Sequence, residues 1–278
     1  MELHLGFSPC PNDTFIFDAM LHGKIDTEGI TFIPVIEDVE TLNQKALQQE
    51  LAITKLSYHA FAHLVDKYIL LDAGSALGFG VGPLLISKNK IENIEDKIAN
   101  LKIGIPGKLT TANFLLNIAF PQAQQKVEMV FSEIENALIN EEIDLGLIIH
   151  ENRFTYAAKG LHKVIDLGSF WEQKTGSAIP LGGIVMSRKY DKQTLDKVNR
   201  IMASSVEFAM KNPLSSAAFV KQHAQEMEES VMVKHIQLYV NKYSLNLGVE
   251  GRKAVSTLLD SAVAQGLILP FTYPIFID

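Results

Sequence analysis

The chain has 278 residues, 47% of them hydrophobic, enough to build one large domain or two moderate ones. Its 25 basic and 32 acidic residues give a formal net charge of -7, with no basic block or Arg-rich stripe. That balance argues against a nucleic-acid backbone as partner, but leaves a small anion within reach of a few local groups.

Cys10 is the single cysteine, so an intrachain disulfide and a cysteine-cluster metal site are excluded. The opening Met1-Glu2-Leu3-His4-Leu5-Gly6-Phe7 has no basic n-region followed by an apolar h-region. No stretch approaches the ~20 apolar residues that span a bilayer. The expectation is a cytoplasmic protein without membrane insertion.

In chain order, Leu3–Phe7 predicts a first strand, followed by the turn Ser8-Pro9-Cys10-Pro11-Asn12-Asp13. Thr14–Leu21 predicts a helix that Asn12 or Asp13 would cap. Ile30–Val35 is the next strand, Val39–Gln48 a polar-faced helix and Leu51–Thr54 a short strand. Another helix, Tyr58–Val65, begins just beyond Lys55-Leu56-Ser57. Ile69–Leu71 and Pro83–Ser87 return to strand pattern around a glycine-rich turn. That turn, Gly78-Phe79-Gly80-Val81-Gly82, lacks the spacing of a dinucleotide or phosphate loop.

Strands are then expected at Leu101–Ile105, Val127–Phe131, Leu145–Ile149, Val164–Leu167 and Gly182–Ser187. Helices are expected at Ala112–Ala119 and Glu133–Asn140, then at Leu195–Met210, Ser215–His223, Glu228–Tyr239 and Gly251–Gln265. Strand–helix alternation predicts an α/β architecture. Two strand-like runs, Gly82–Ser87 and Gly182–Ser187, suggest a chain that leaves one domain and returns. The expected division is residues 1–87 plus 188–278 as a large discontinuous lobe, with 88–187 as a smaller inserted α/β lobe.

The segment Leu147-Ile148-Ile149-His150-Glu151-Asn152-Arg153-Phe154-Thr155-Tyr156 is the densest chemical signal. A buried strand ends there in a burst of polar and aromatic groups. His150 at its mouth is placed to act as a base, though a histidine satisfying a loop fits the same pattern. Arg153 could meet an acidic substrate or form a salt bridge. Thr110 and Thr111 stand at a helix start, where they would bind a carboxylate or simply cap the helix. Lys55 and Ser57 pose the same choice between anion binding and local structure. Asn12, Asp13 and Thr14 could read substrate hydroxyls, or cap. His59 and His63 share a helix face without a third ligand in view, so packing is the plainer reading.

Taken together, these segments carry a family resemblance. Gly6-Phe7-Ser8-Pro9-Cys10-Pro11-Asn12-Asp13-Thr14-Phe15 resembles the opening signature of the 1,4-dihydroxy-6-naphthoate synthases. Thr54-Lys55-Leu56-Ser57, Pro106-Gly107-Lys108-Leu109-Thr110-Thr111, Gly146–Tyr156 and the Asp166-Leu167-Gly168 segment before Trp171 resemble the same family, so the similarity runs essentially end to end.

The resemblance implies a two-lobed fold like type II periplasmic binding proteins, with a ligand cleft between the lobes. It implies an enzyme of the futalosine route to menaquinone, a lyase that converts cyclic dehypoxanthinyl futalosine to 1,4-dihydroxy-6-naphthoate and releases dihydroxyacetone. His150 matches the family's proposed base. Lys55, Leu56 and Ser57 fall in one substrate-contact segment, and Thr110 and Thr111 match another. The partner implied is a small aromatic carboxylate, and the scheme requires no cofactor and no metal. Oligomeric state stays open, a homodimer included. The rival readings are the chorismate dehydratase of the same pathway and a non-catalytic protein that binds aromatic carboxylates.

Overall fold

A computed structural model describes residues 1–224 and 228–277. The first stretch runs β1 (Glu2–Phe7), α1 (Pro11–Leu21), β2 (Thr31–Ile36), α2 (Val39–Leu47), β3 (Ile53–Ser57), α3 (Tyr58–Ala62), β4 (Tyr68–Leu70) and β5 (Ala76–Gly78). Next come β6 (Leu84–Ser87), α4 (Ile94–Lys97), β7 (Ile103–Ile105), α5 (Thr111–Ala119), β8 (Lys126–Glu128), α6 (Ile134–Ile139), β9 (Leu145–Ile148), α7 (Asn152–Thr155), β10 (His162–Asp166) and α8 (Leu167–Thr175). The chain closes with β11 (Ile179–Ser187), α9 (Lys192–Lys211), α10 (Ala217–His223), α11 (Glu229–Tyr239), α12 (Lys242–Leu245) and α13 (Gly248–Ala264).

The elements divide into two compact units, Met1–Gly78 with Pro180–Asp278, and Phe79–Ile179. The first unit holds a sheet in the order β2-β1-β3-β11-β4, with β5 paired to β11. β1 runs parallel to β2 and β3, while β11 is antiparallel to β3 and β4. Its core gathers Leu3, Leu5 and Phe7 from β1, Phe15, Ile16 and Phe17 from α1, and Val198, Ile201, Met202 and Val206 from α9. The α9 residues recur every three or four positions, so one stripe of a 20-residue helix faces the core. The Asp191 carboxylate caps α9 by accepting from the Thr194 N–H. Ser205 stitches α9 to α1: its hydroxyl donates to the Ile16 carbonyl at 2.6 Å and accepts from the Met20 N–H.

The second unit holds a sheet in the order β10-β6-β9-β7-β8. β6 is antiparallel to β9 and β10, and β7 is parallel to β8 and β9. Leu84, Ile86, Ile134, Leu138, Ile143 and Ile148 form its core. Gly146 of β9 has no room for a side chain, because a Cβ would lie 2.6 Å from Ile134 Cγ2. The same holds for Gly82 and Gly168. A Cβ on Gly82 would lie 2.2 Å from Gly168 Cα, so two backbones meet where any side chain would part them.

Three expectations need correction. The unit boundaries fall at 78/79 and 179/180 rather than at 87/88 and 187/188. The reason is strand pairing: β6 lies between β10 and β9 in the second sheet, whereas Gly182–Ser187 of β11 pair with β3 and β4 in the first. The first helix starts at Pro11, not Thr14, because the Cys10 carbonyl already accepts from the Asp13 and Thr14 amides. Proline suits that first helical position, since its missing N–H would have had no partner inside the helix. The strand expected over Val127–Phe131 stops at Glu128, and Phe131–Glu133 forms a short 3-10 turn leading into α6.

Among the described residues no helix is long and apolar enough to cross a membrane.

Candidate active site

In the first unit, the ends of β1 and β3 bring the polar residues of the opening motif together. Parallel strands expose their carboxyl ends side by side, which is where α/β sheets collect functional groups. Lys55 and Asp13 are both buried, and the ammonium donates to Asp13 Oδ1 at 2.6 Å. The Asp13 carboxylate also accepts from the Ser8 N–H at 3.2 Å, the Ser8 hydroxyl at 2.7 Å and the Asn12 amide at 2.8 Å. Asn12 and Asp13 are therefore not caps. They sit inside the first turn of α1, with their side chains spent on one buried network. Thr14 turns its hydroxyl back to the Cys10 and Pro11 carbonyls.

Ser57 ends β3 and precedes α3 without a side-chain capping bond. Asn43 of α2 grips it instead: the Asn43 amide donates to Ser57 Oγ at 3.2 Å, and the Ser57 N–H donates to Asn43 Oδ1 at 3.1 Å. Leu56 is fully buried. Across the strand pair, Gly182 lies opposite Ser57 and Gly183 opposite Leu56. A Cβ on Gly182 would lie 2.8 Å from the Leu56 carbonyl oxygen and 3.3 Å from Lys55 Cε, so the glycine leaves the Lys55 stem its space.

In the second unit, β9 is buried throughout and the chain then reverses at His150, whose φ is +55°. Left-handed backbone is uncommon for a residue with a Cβ and is held only where the surroundings over-determine it. Here two braces come from the segment entering α6. The Phe131 ring stands edge-on to the imidazole at 4.9 Å between centroids. Glu135, itself buried, accepts from Asn152 Nδ2 at 2.7 Å and from Lys159 Nζ at 2.7 Å. Asn152 opens α7, so its anchor fixes the chain two residues after His150.

Thr110 caps α5. Its hydroxyl accepts from the Asn113 N–H at 3.2 Å and donates to the Gly107 carbonyl at 2.8 Å. Thr111, the first residue of α5, is buried beside it. Arg153 turns toward its own unit: the guanidinium donates to the Gly82 carbonyl and approaches Asp166 Oδ2 at 3.5 Å. Asp166 in turn caps α8 through the Gly168 and Ser169 amides. Trp171 is buried near Phe114, with 6.5 Å between ring centroids. His59 and His63 pack ring against ring at 5.3 Å.

A family model described as "Menaquinone biosynthesis" matches residues 3–264. The chain belongs to the menaquinone biosynthesis family. Among its relatives in that family is a 1,4-dihydroxy-6-naphtoate synthase from Thermus thermophilus, 42% identical over 275 residues and covering 99% of each chain. Another protein of the same name, from Streptomyces coelicolor, is 37% identical over 272 residues, covering 96% of this chain and 94% of its own. A crystal structure of an Archaeoglobus fulgidus protein superposes with a TM-score of 0.90 at 36% identity, over 96% of this chain and 98% of that one. The periplasmic aliphatic sulphonate binding protein of Escherichia coli has a TM-score of 0.66 at 12% identity, over 99% of this chain and 90% of that one. That second likeness concerns the fold alone, which is periplasmic-binding-protein-like.

As a menaquinone biosynthesis family member, the chain is an enzyme of that pathway. Sequence reasoning missed Asn43 and Glu135 as parts of its polar architecture. In sequence, Asn43 is one polar residue on a polar-faced helix and Glu135 one acid among several on an amphipathic one. Neither position carries a local signal, because each partner lies 14 or more residues away.

Proposed function

We propose that this enzyme converts cyclic dehypoxanthinyl futalosine to 1,4-dihydroxy-6-naphthoate with release of dihydroxyacetone, a carbon–carbon lyase reaction. The observation that carries the reading is 42% identity to a 1,4-dihydroxy-6-naphtoate synthase over 99% of both chains. The left-handed His150 supports it, because a braced, strained histidine after a buried strand suits a base held in one orientation.

In this reading His150 takes a proton from the substrate. The electron pair left behind opens the sugar-derived portion and breaks a carbon–carbon bond. The three-carbon fragment departs as dihydroxyacetone and the bicyclic remainder becomes aromatic, with no net oxidation. Lys55 and Ser57 orient substrate oxygens from the end of β3, with Leu56 setting the strand between them. Thr110 and Thr111 contribute the start of α5, whose positive dipole end favours a carboxylate. Thr110 acts mainly through the helix start it shapes, since its hydroxyl is engaged by Gly107 and Asn113. Asn12 and Asp13 act through Lys55. Arg153 serves the backbone around Gly82 more directly than it serves a ligand.

The test is anaerobic turnover of the purified protein and of His150→Ala with cyclic dehypoxanthinyl futalosine, read by mass spectrometry. Both products are expected from the wild type, with loss of ~10²-fold or more in a folded His150→Ala. A wild type that makes neither product refutes the reaction. Full turnover by His150→Ala refutes the base while leaving the reaction in place.

A further inference from the structure

We propose that His235 is a positioning residue for Lys55, acting through Asn12 and Asp13. The inference rests on the reading above that Lys55 orients the substrate. His235 lies on α11, far from the opening motif in sequence, and is fully buried. Its Nε2 lies 2.9 Å from Asn12 Oδ1, and its ring packs on Tyr239 at 4.6 Å. The Asn12 amide donates to Asp13 Oδ1, the same oxygen that receives the Lys55 ammonium. One buried chain of groups thus links α11, α1 and β3.

The chemistry of the chain fixes its direction. Asp13, as a carboxylate, offers only acceptors, so the Asn12 group beside it must be the amide nitrogen. Asn12 Oδ1 then faces His235 and needs a donor, so His235 Nε2 must carry a hydrogen. An imidazole with its hydrogen elsewhere would set acceptor against acceptor. Loss of the donor leaves Asn12 Oδ1 buried and unsatisfied, so the side chain can swing toward another donor and carry its amide nitrogen away from Asp13. The Asp13 carboxylate would lose one of the donors that set its plane. Lys55, held by that oxygen at 2.6 Å, would move with it. Only Asn12 touches His235 directly, and the effect reaches Lys55 through Asp13.

Two variants separate positioning from bulk. His235→Leu fills much of the ring's volume without a donor. His235→Gln places an amide nitrogen near the position of Nε2 and restores one. The full-length protein is used, with thermal unfolding to show that each variant is folded. In steady-state turnover, His235→Leu is expected to raise KM by about tenfold with kcat changed less than about threefold. This is the pattern for a lost contact that binds substrate and transition state alike. His235→Gln is expected to return KM to within about threefold of wild type.

The second readout does not depend on turnover. In ¹⁵N-lysine-labelled protein, the Lys55 ammonium resonance, assigned with Lys55→Arg, is expected to shift in His235→Leu and to return in His235→Gln. If the wild type turns over no substrate, the proposed reaction fails, yet the Lys55 resonance still decides the relay. If His235→Leu does not fold, His235→Asn takes its place, because its shorter amide cannot reach Asn12. A Lys55 resonance identical in wild type and the donor-less variant overturns the proposal. So does a KM that rises equally in the Leu and Gln variants.

Discussion

Replacing Lys55 by Met should destabilise the first unit strongly, and the size of the effect follows from its surroundings. The ammonium and the Asp13 carboxylate are 2.6 Å apart, with side-chain exposures of 7% and 2%. Breaking a buried pair by removing one partner costs about 3–5 kcal/mol, because the survivor keeps its desolvation without its counter-charge. In Lys55→Met the carboxylate retains Ser8 and Asn12 as donors, which places this variant near the lower figure. Asp13→Leu removes the acceptor common to Ser8, Asn12 and Lys55, so it belongs near the upper one. For a unit of roughly 180 residues unfolding with about 2.1 cal/mol/K per residue, the two correspond to Tm losses of roughly 8 and 13 °C. The double variant Asp13→Leu/Lys55→Met should be less destabilised than the two single losses added, since no unpaired charge remains. Urea unfolding of all four proteins gives the coupling directly. Additivity within about 0.5 kcal/mol would refute the claim that the pair acts as a buried unit.

The Gly82–Gly168 contact predicts that Gly82→Ala loses about 3 kcal/mol or more, because its Cβ would meet backbone rather than a flexible side chain. Chemical denaturation should show this, and a loss below about 1 kcal/mol would contradict the close approach. Arg153→Met should lower stability by roughly 1–3 kcal/mol by leaving the Gly82 carbonyl without its donor and Asp166 without its cationic neighbour. Its KM should stay within about threefold of wild type, and a large KM change with unaltered Tm would instead place Arg153 on the substrate. Alkaline stability carries a further signature. Burial is the main force pushing the Tyr58 phenol above its ordinary value and raising Tyr68 to about 12. The fold therefore favours both protonated phenols. Their contribution is fully present below about pH 10 and is lost as pH rises through the folded values. Unfolding free energies measured from pH 9 to 12 should fall with pH, and less steeply in Tyr58→Phe/Tyr68→Phe.

Much of this architecture is legible in the sequence because apolar periodicity reports burial. Leu145–Ile148 and the α9 stripe are plain on that basis. The Thr110 cap is legible too, as one of the two uses a threonine at that helix start offers. Boundaries were harder. Pro83–Ser87 reads as a strand, but only its pairing with β9 and β10 says which sheet it joins. The start of α1 is hidden because its N-cap, Cys10, makes no side-chain capping bond. Polar residues were the least legible. Asp13 looks like a cap by position, yet its carboxylate is claimed by Lys55, which lies 42 residues away. His150 stood out as a base candidate, but its left-handed backbone and the Phe131 and Glu135 braces carry no pattern that a single chain displays.

The placement of β11 sets the order in which the chain can mature during synthesis. β4 pairs with β11 and not with β3, so β3 keeps an open edge until residues 182–187 arrive. That edge is a fully buried strand in the finished protein, and a strand edge with unpaired amides invites adventitious partners. Meanwhile residues 79–179 form an uninterrupted segment with its own sheet and core, able to close while the first unit still waits for its central strand. A nascent chain halted after residue 179 but before residue 187 would therefore hold a finished insert inside an unfinished host. The vulnerable interval ends when β11 slots between β3 and β4, and a ribosome that stalled before that point would leave the most aggregation-prone form of this protein.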